Sequence, residues 1–401
     1  MKFRNITFEN HPILGNCQFD FTNIDGSTVD TIIIAGENGC GKTVLLNELF
    51  EYNPTTLSQT KVGIVKTEIE LTEDECLIVN NLPEVQRIFP EGISTSRIMI
   101  IQDFNIKNNW EQINIYIDKH SIPGHIFSSL QNIFKKIYSN VEINFMPNQI
   151  RTVTSKNIDQ ENSLSLKSEK NLATDITQLL IDINTLDNGE LAYWVKTHIG
   201  QVPPQDMVSI RMKRFINAFH SMFETKRFKA VENINGQITV IFEEYGKEMS
   251  IDKLSSGEKQ IVFRGGFLLK DKKSLEGAYI LIDEPEISLH PKWQLKILPF
   301  IKKLFTNDRG RQTSQIIVTT HSPFIIHNSN RQNDKVIILQ KSTEGNIEVA
   351  DRPEFYSWGA KEMVKEALNQ IEILFLLKEK LMKNIIIKRW MYLGMINPKF
   401  K

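Results

Sequence analysis

Residues Gly36-Glu37-Asn38-Gly39-Cys40-Gly41-Lys42-Thr43 follow the pattern of a glycine, four free positions, then Gly-Lys-Thr. Each residue type has a job at its place. Gly36, Gly39 and Gly41 let the backbone turn its N–H groups inward around an anion, with Asn38 and Cys40 between them. Lys42 supplies a cation for the outer phosphates, and the Thr43 hydroxyl supplies an oxygen for Mg2+. This is chemistry for a magnesium nucleotide such as ATP. In Tyr279-Ile280-Leu281-Ile282-Asp283-Glu284, two carboxylates follow four apolar residues. Asp283 suits the second protein ligand of Mg2+, and Glu284 suits the polarising of an attacking water. Leu254-Ser255-Ser256-Gly257-Glu258 lies 26 residues earlier (283 − 257). Its hydroxyls and glycine N–H make either a second anion site, through Ser255 and Gly257, or an ordinary serine helix cap. His321 closes the run Gln315-Ile-Ile-Val-Thr-Thr-His. A histidine there suits a γ-phosphate contact, though a lone histidine is more often structural.

These groups need elements to hold them. Thr31 to Ala35 is a β-branched run suited to a buried strand, and Thr43 to Tyr52 has helical period. Strand, glycine loop, helix is a phosphate-binding context. The runs at 1–9, 17–24, 96–104 and 112–118 read as strands, and 125–138 as an amphipathic helix. Thr152 to Ala173 is polar and without period, and so reads as a mobile loop. Residues 173–186 and 210–228 read as helices, and 237–251 as a hairpin turning near Gly246. The acid and histidine runs, with 334–342, read as further strands alternating with helices, which implies α/β class with a mixed or mainly parallel sheet. The expected divisions are an ATPase lobe at 1–110, a mixed, mainly helical insertion at 111–235, a second lobe at 236–350 and a helical basic tail at 351–401.

The 401 residues carry 48 Lys plus Arg against 48 Asp plus Glu, which argues against a uniformly basic nucleic-acid coat. That neutrality is uneven, since residues 378–401 hold seven Lys and Arg against Glu379 alone. This amphipathic stretch suits a partner protein, an anionic membrane surface or nucleic acid, or else plain packing on its own domain. Cys17, Cys40 and Cys76 have no paired spacing, which points to a reducing cytoplasm. No apolar run approaches the ~18–20 residues that span a bilayer, and no transmembrane segment is expected.

The order GENGCGKT, LSSGEKQ, YILIDEPEISLHP, IIVTTHSP resembles the ABC-type ATPase superfamily. The wording EPEISLHPKWQ and THSPFII is similar to its soluble branch of chromosome-maintenance, break-repair and overcoming-lysogenization-defect proteins. Stand-alone anti-phage ATPases of the Septu, retron-associated and PARIS types belong to that branch. The motifs cover roughly 1–50 and 236–345.

The resemblance implies that ATP cements a head-to-tail homodimer, or a higher oligomer, with composite sites. Ser255 and Gly257 of one copy would face the nucleotide on Lys42 of the other, and Glu284 and His321 would act in cis. It implies a glutamine near the attacking water, for which Gln102 is the candidate and Gln149 the rival. From Lys42 to Ser255 there are 213 residues (255 − 42) with no sustained heptad, so no long coiled coil is expected. The 80 residues after His321 (401 − 321) are too few for a full nuclease domain. The expected function is a slow, regulated ATPase that switches a separate effector, a nuclease or toxin, in bacterial defence. The alternatives are a repair or chromosome-type ATPase that binds DNA directly, and a nucleotide-cemented scaffold.

Overall fold

In the computed structural model the described residues are 1–350 except 53–62, 106–109, 119, 124–132, 141–162, 167–171, 204–209, 235–236, 272–274, 327–333 and 343–344. The chain divides into two units, Met1–Val349 and Ala350–Lys401. Every element below belongs to the first; the expected basic tail lies outside the described residues.

The N-terminal elements are β1 (Lys2–Glu9), β2 (Gln18–Asp20), β3 (Thr31–Gly36), α1 (Lys42–Glu51), β4 (Gly63–Glu70), α2 (Glu73–Asn80) and α3 (Pro83–Ile88). Next come β5 (Arg97–Asn105), β6 (Trp110–Ile117), β7 (His120–Pro123), β8 (Lys136–Ser139), β9 (Ser163–Leu166), α4 (Leu172–Thr197) and α5 (Ile210–Met222). The remainder are β10 (Lys226–Ile234), β11 (Gln237–Glu244), β12 (Lys247–Ser250), α6 (Ser256–Leu268), β13 (Tyr279–Asp283), α7 (Pro291–Leu304), β14 (Gln315–Thr320), α8 (Pro323–Ile326), β15 (Asp334–Lys341) and β16 (Ile347–Val349).

Seven strands run in the order β16-β15-β3-β14-β13-β8-β9. All neighbours in this sheet are parallel except β15 and β16. β3, β13 and β14 are buried at every residue, as expected of strands covered on both faces. The phosphate-loop strand β3 and the acid strand β13 are not neighbours, because β14 lies between them.

A second sheet, β2-β1-β4-β5-β6-β7, is antiparallel throughout. Its strands alternate: on β4, Val65, Thr67 and Ile69 point inward and are buried while Lys66, Glu68 and Glu70 are partly exposed. The inner face joins one core with Leu45, Leu46 and Leu49 of α1 and with Tyr279, Leu281 and Ile317 of the parallel sheet. Each such fully buried side chain contributes ~1.5–3 kcal/mol relative to exposure. Gln315 ties the two sheets directly. Its amide accepts from the Phe3 N–H at 2.8 Å and donates to the carbonyls of Phe3 at 2.9 Å and Val29 at 3.0 Å.

A three-stranded sheet, β10-β11-β12, packs through Phe228 and Phe242 on Phe215 and Phe219 of α5, and Phe223 meets Trp293 of α7. Its β11–β12 hairpin turns at Tyr245 and Gly246, both at positive φ, as the expected turn requires. Among the described residues the longest helix is α4, at 26 residues, and no long coiled coil occurs.

The structure differs from the sequence reading at three places. Residues 136–139, read as the end of a helix, form β8, inserted between β13 and β9. A strand covered on both faces has no polar side, so Lys136-Ile-Tyr-Ser shows no alternation. Within the expected polar loop, residues 163–166 form β9, and the flanking 152–162 and 167–171 lie outside the described residues. The helix read to 228 ends at Met222, and Lys226 onward pairs with β11.

Candidate functional site

The phosphate loop closes against the end of β15. Gly36 sits at φ 156°, and a Cβ there would lie 2.3 Å from the Leu339 carbonyl oxygen. Gly41 sits at φ 85°, where a Cβ would lie 2.6 Å from Ile347 Cδ1. Only glycine fits both positions. α1 begins at Lys42 with no side-chain cap and no acid in its first turn, leaving its N–H groups and dipole for an anion. The buried Lys42 ammonium donates to the Gly36 and Glu37 carbonyls, each at 3.0 Å. Asn38 is exposed on the loop. Cys40 is buried, and burial pushes its thiol up, with Lys42 opposing. It is therefore a packed, protonated thiol rather than a reactive one.

The Thr43 hydroxyl donates to Asp283 Oδ2 at 2.8 Å, and the Thr319 hydroxyl donates to Oδ1. Asp283 is fully buried. Burial pushes its carboxyl up; the Thr319 and Thr43 hydroxyls and Lys42 pull it down, and Glu284 adds to the rise. A desolvated carboxylate beside a hydroxyl is a hard oxygen pair lacking a cation, which fits Mg2+. The Tyr138 phenol of β8 lies against Asp283, and burial together with that carboxylate holds it above its usual range.

Glu284 follows at φ 41°, a left-handed conformation costing roughly 1–3 kcal/mol for a residue with a side chain. Its N–H bonds the Thr319 carbonyl at 3.1 Å, which aims its carboxylate beyond the sheet end. There Glu284 Oε1 meets His321 Nδ1 at 3.2 Å, the imidazole being half exposed. Two expected pairs are thus in contact: Thr43 with Asp283, and Glu284 with His321.

Ser255 and Gly257 begin α6, away from these contacts. The exposed Ser255 caps the helix through a reciprocal pair with Glu258, at 3.4 Å and 2.9 Å. A Cβ on Gly257 would come within 2.9 Å of the Trp293 ring. Gln102 is buried on β5 of the antiparallel sheet, opposite Val65 and Ile113, and not on the sheet carrying Asp283. Gln149 lies outside the described residues.

Four residues of this neighbourhood escaped sequence reasoning. Thr319 and Tyr138 contact Asp283, as described above. Glu286, buried, accepts at Oε1 from the Thr320 hydroxyl and from the N–H groups of His321 at 3.1 Å and Ser322 at 3.3 Å. Arg264 of α6, also buried, donates to the Ser139 hydroxyl at 2.7 Å. Burial pulls its guanidinium down to about 10, opposed by the charges of Glu286 and Asp283. A lone arginine inside the apolar run Ile261–Leu268 was the available signal for a buried cation.

The family described as AAA ATPase domain matches residues 91–326, a span that includes Ser255, Asp283, Glu284 and His321. The "Retron Ec83 probable ATPase" of Escherichia coli is 25% identical over 396 residues, covering 83% of this chain and 71% of that protein. The "Septu protein PtuA" of Bacillus thuringiensis is 27% identical over 146 residues, 34% of each chain. The chain thus spans most of one relative and about a third of the other. A solved Smc head bound to the C-winged helix domain of ScpA is 13% identical, with TM-score 0.48, over 87% of this chain and 98% of that one.

Proposed function

Since the chain belongs to the AAA ATPase domain family, we propose that it binds ATP with Mg2+, hydrolyses it, and uses the cycle to switch a separate effector in anti-phage defence. The observation that carries this reading is the pairing at one sheet end of Thr43 with Asp283 and of Glu284 with His321. Gly36, Gly39 and Gly41, with the start of α1, would hold the phosphates, Lys42 would leave its carbonyls for the outer ones, and Thr43 and Asp283 would hold Mg2+. When bound, the ion neutralises charge that develops on the phosphates. Glu284 takes the proton of the attacking water, and His321, in contact with it, orients that carboxylate and faces the γ-phosphate.

The exposed Ser255 at the start of α6 supports a second role. Such a helix start can meet the nucleotide held by another copy, so that ATP favours a head-to-tail dimer. A ligand bridging two chains binds the closed state better, as a switch requires. The retron and Septu names of the relatives support the defence setting. The effector is then a separate nuclease or toxin.

The test is Glu284→Gln. It should cut hydrolysis by about 100-fold or more while keeping ATP binding, and it should accumulate an ATP-dependent dimer in sedimentation velocity. A variant with unchanged turnover and unchanged assembly would defeat this reading.

A further inference from the structure

His321 is half exposed and stands at the end of β14, where nothing on its own strand limits its rotation. The groups that hold its backbone converge on one atom. Glu286 Oε1 accepts from the Thr320 hydroxyl, the His321 N–H and the Ser322 N–H. It also lies 4.0 Å from His321 Nδ1. Its other oxygen, Oε2, is buried and has no hydrogen-bond partner among the described residues. A carboxylate desolvated to accept three donors on a single oxygen costs more than a helix cap or turn would need. The same turn is tied again by Ser322, whose hydroxyl donates to Gln294 of α7 at 2.6 Å.

We propose that Glu286 is the positioning residue of this site: it clamps residues 320–322 so that the His321 imidazole meets Glu284 and faces the nucleotide. The proposal rests on reading the site as an ATPase. The clamp works through acceptor geometry, since the three donors need an oxygen at one place. Glu286 itself touches neither nucleotide nor water.

Two conservative variants of the full chain separate position from charge. Glu286→Gln keeps an oxygen in reach and removes the charge; Glu286→Asp keeps the charge and shortens the reach by one methylene. The Gln variant should retain kcat within about threefold of wild type, whereas the Asp variant should lose about tenfold or more, with KM for ATP within about twofold in both. In a His321→Ala background the Asp substitution should cost less than about twofold further, because it acts through His321. A loss in the Gln variant equal to that in the Asp variant, a change confined to KM, or additive losses with His321→Ala would overturn the proposal.

Amide hydrogen exchange at His321 and Ser322 gives a readout that needs no turnover. Exchange should quicken by about tenfold in the Asp variant and stay near wild type in the Gln variant; unchanged exchange in the Asp variant would overturn the clamp. Should the wild-type chain bind ATP without hydrolysing it, the ATPase reading fails, and the exchange measurement still decides the role of Glu286.

Discussion

Thr43 and Asp283 are 240 residues apart in sequence and 2.8 Å apart in space. The hydroxyl and the carboxylate are each ordinary; their contact makes a cation site. Sequence reasoning found both, because each sits at a motif position beside an apolar strand. It missed Thr319 and Glu286, since a threonine in Thr-Thr-His and an acid two places past Glu284 look like turn residues until their donors and acceptors are seen. Asp283→Asn keeps the shape and the Thr43 bond but removes the charge. ATP binding should then lose about tenfold or more of its magnesium dependence, read by titrating a fluorescent nucleotide with and without Mg2+. Equal Mg2+ enhancement in wild type and variant would show that Asp283 does not serve the ion.

At the scale of elements, β3, β13 and β14 were legible because apolar runs bounded by loops leave little else to be. β8 was not, since a strand buried on both faces has no period, and its neighbours in the sheet are 140 or more residues away along the chain (279 − 136 = 143). Gln102 shows the same limit: its strand was read correctly, but the sheet it joins is set by partners that local sequence does not name.

α6 supports a pH prediction. Burial alone would raise the Glu258 carboxyl, but Lys226 at 2.7 Å, with the Ser255 N–H and hydroxyl, outweighs burial and holds it below its ordinary 4.5. The folded value lies below the unfolded one, so the contribution is present above about pH 4.5 and is lost as pH falls through the folded value. Glu258→Gln should therefore flatten the acid limb of thermal stability below that pH, measured by melting across pH 3–6, and leave the neutral limb offset but parallel. A variant curve parallel to wild type through the acid range would contradict this.

Over the whole first unit, one core fills the space between the antiparallel sheet and one face of the parallel sheet, with α1 inside it. Gln315 is the polar tie across that space. Replacing it by leucine of similar bulk strands one N–H and two carbonyls, and should destabilise the fold by about 2–4 kcal/mol. The urea midpoint should fall with an unchanged slope; an unchanged midpoint would mean that neighbouring groups take up those bonds.

The neighbours of β3 in its sheet also impose an order in time. Thr31 pairs with Ile316 and with Asp334, both made about 285 or more residues later. At ribosomal speeds of roughly 5–20 residues per second, this two-faced apolar strand waits about a quarter of a minute to a minute for its first partner. Through that interval β1 and β2, which pair locally, are available as its cover. Any chain released before residue 315 leaves the phosphate-loop strand without a sheet, a substrate for chaperones and proteases rather than for ATP.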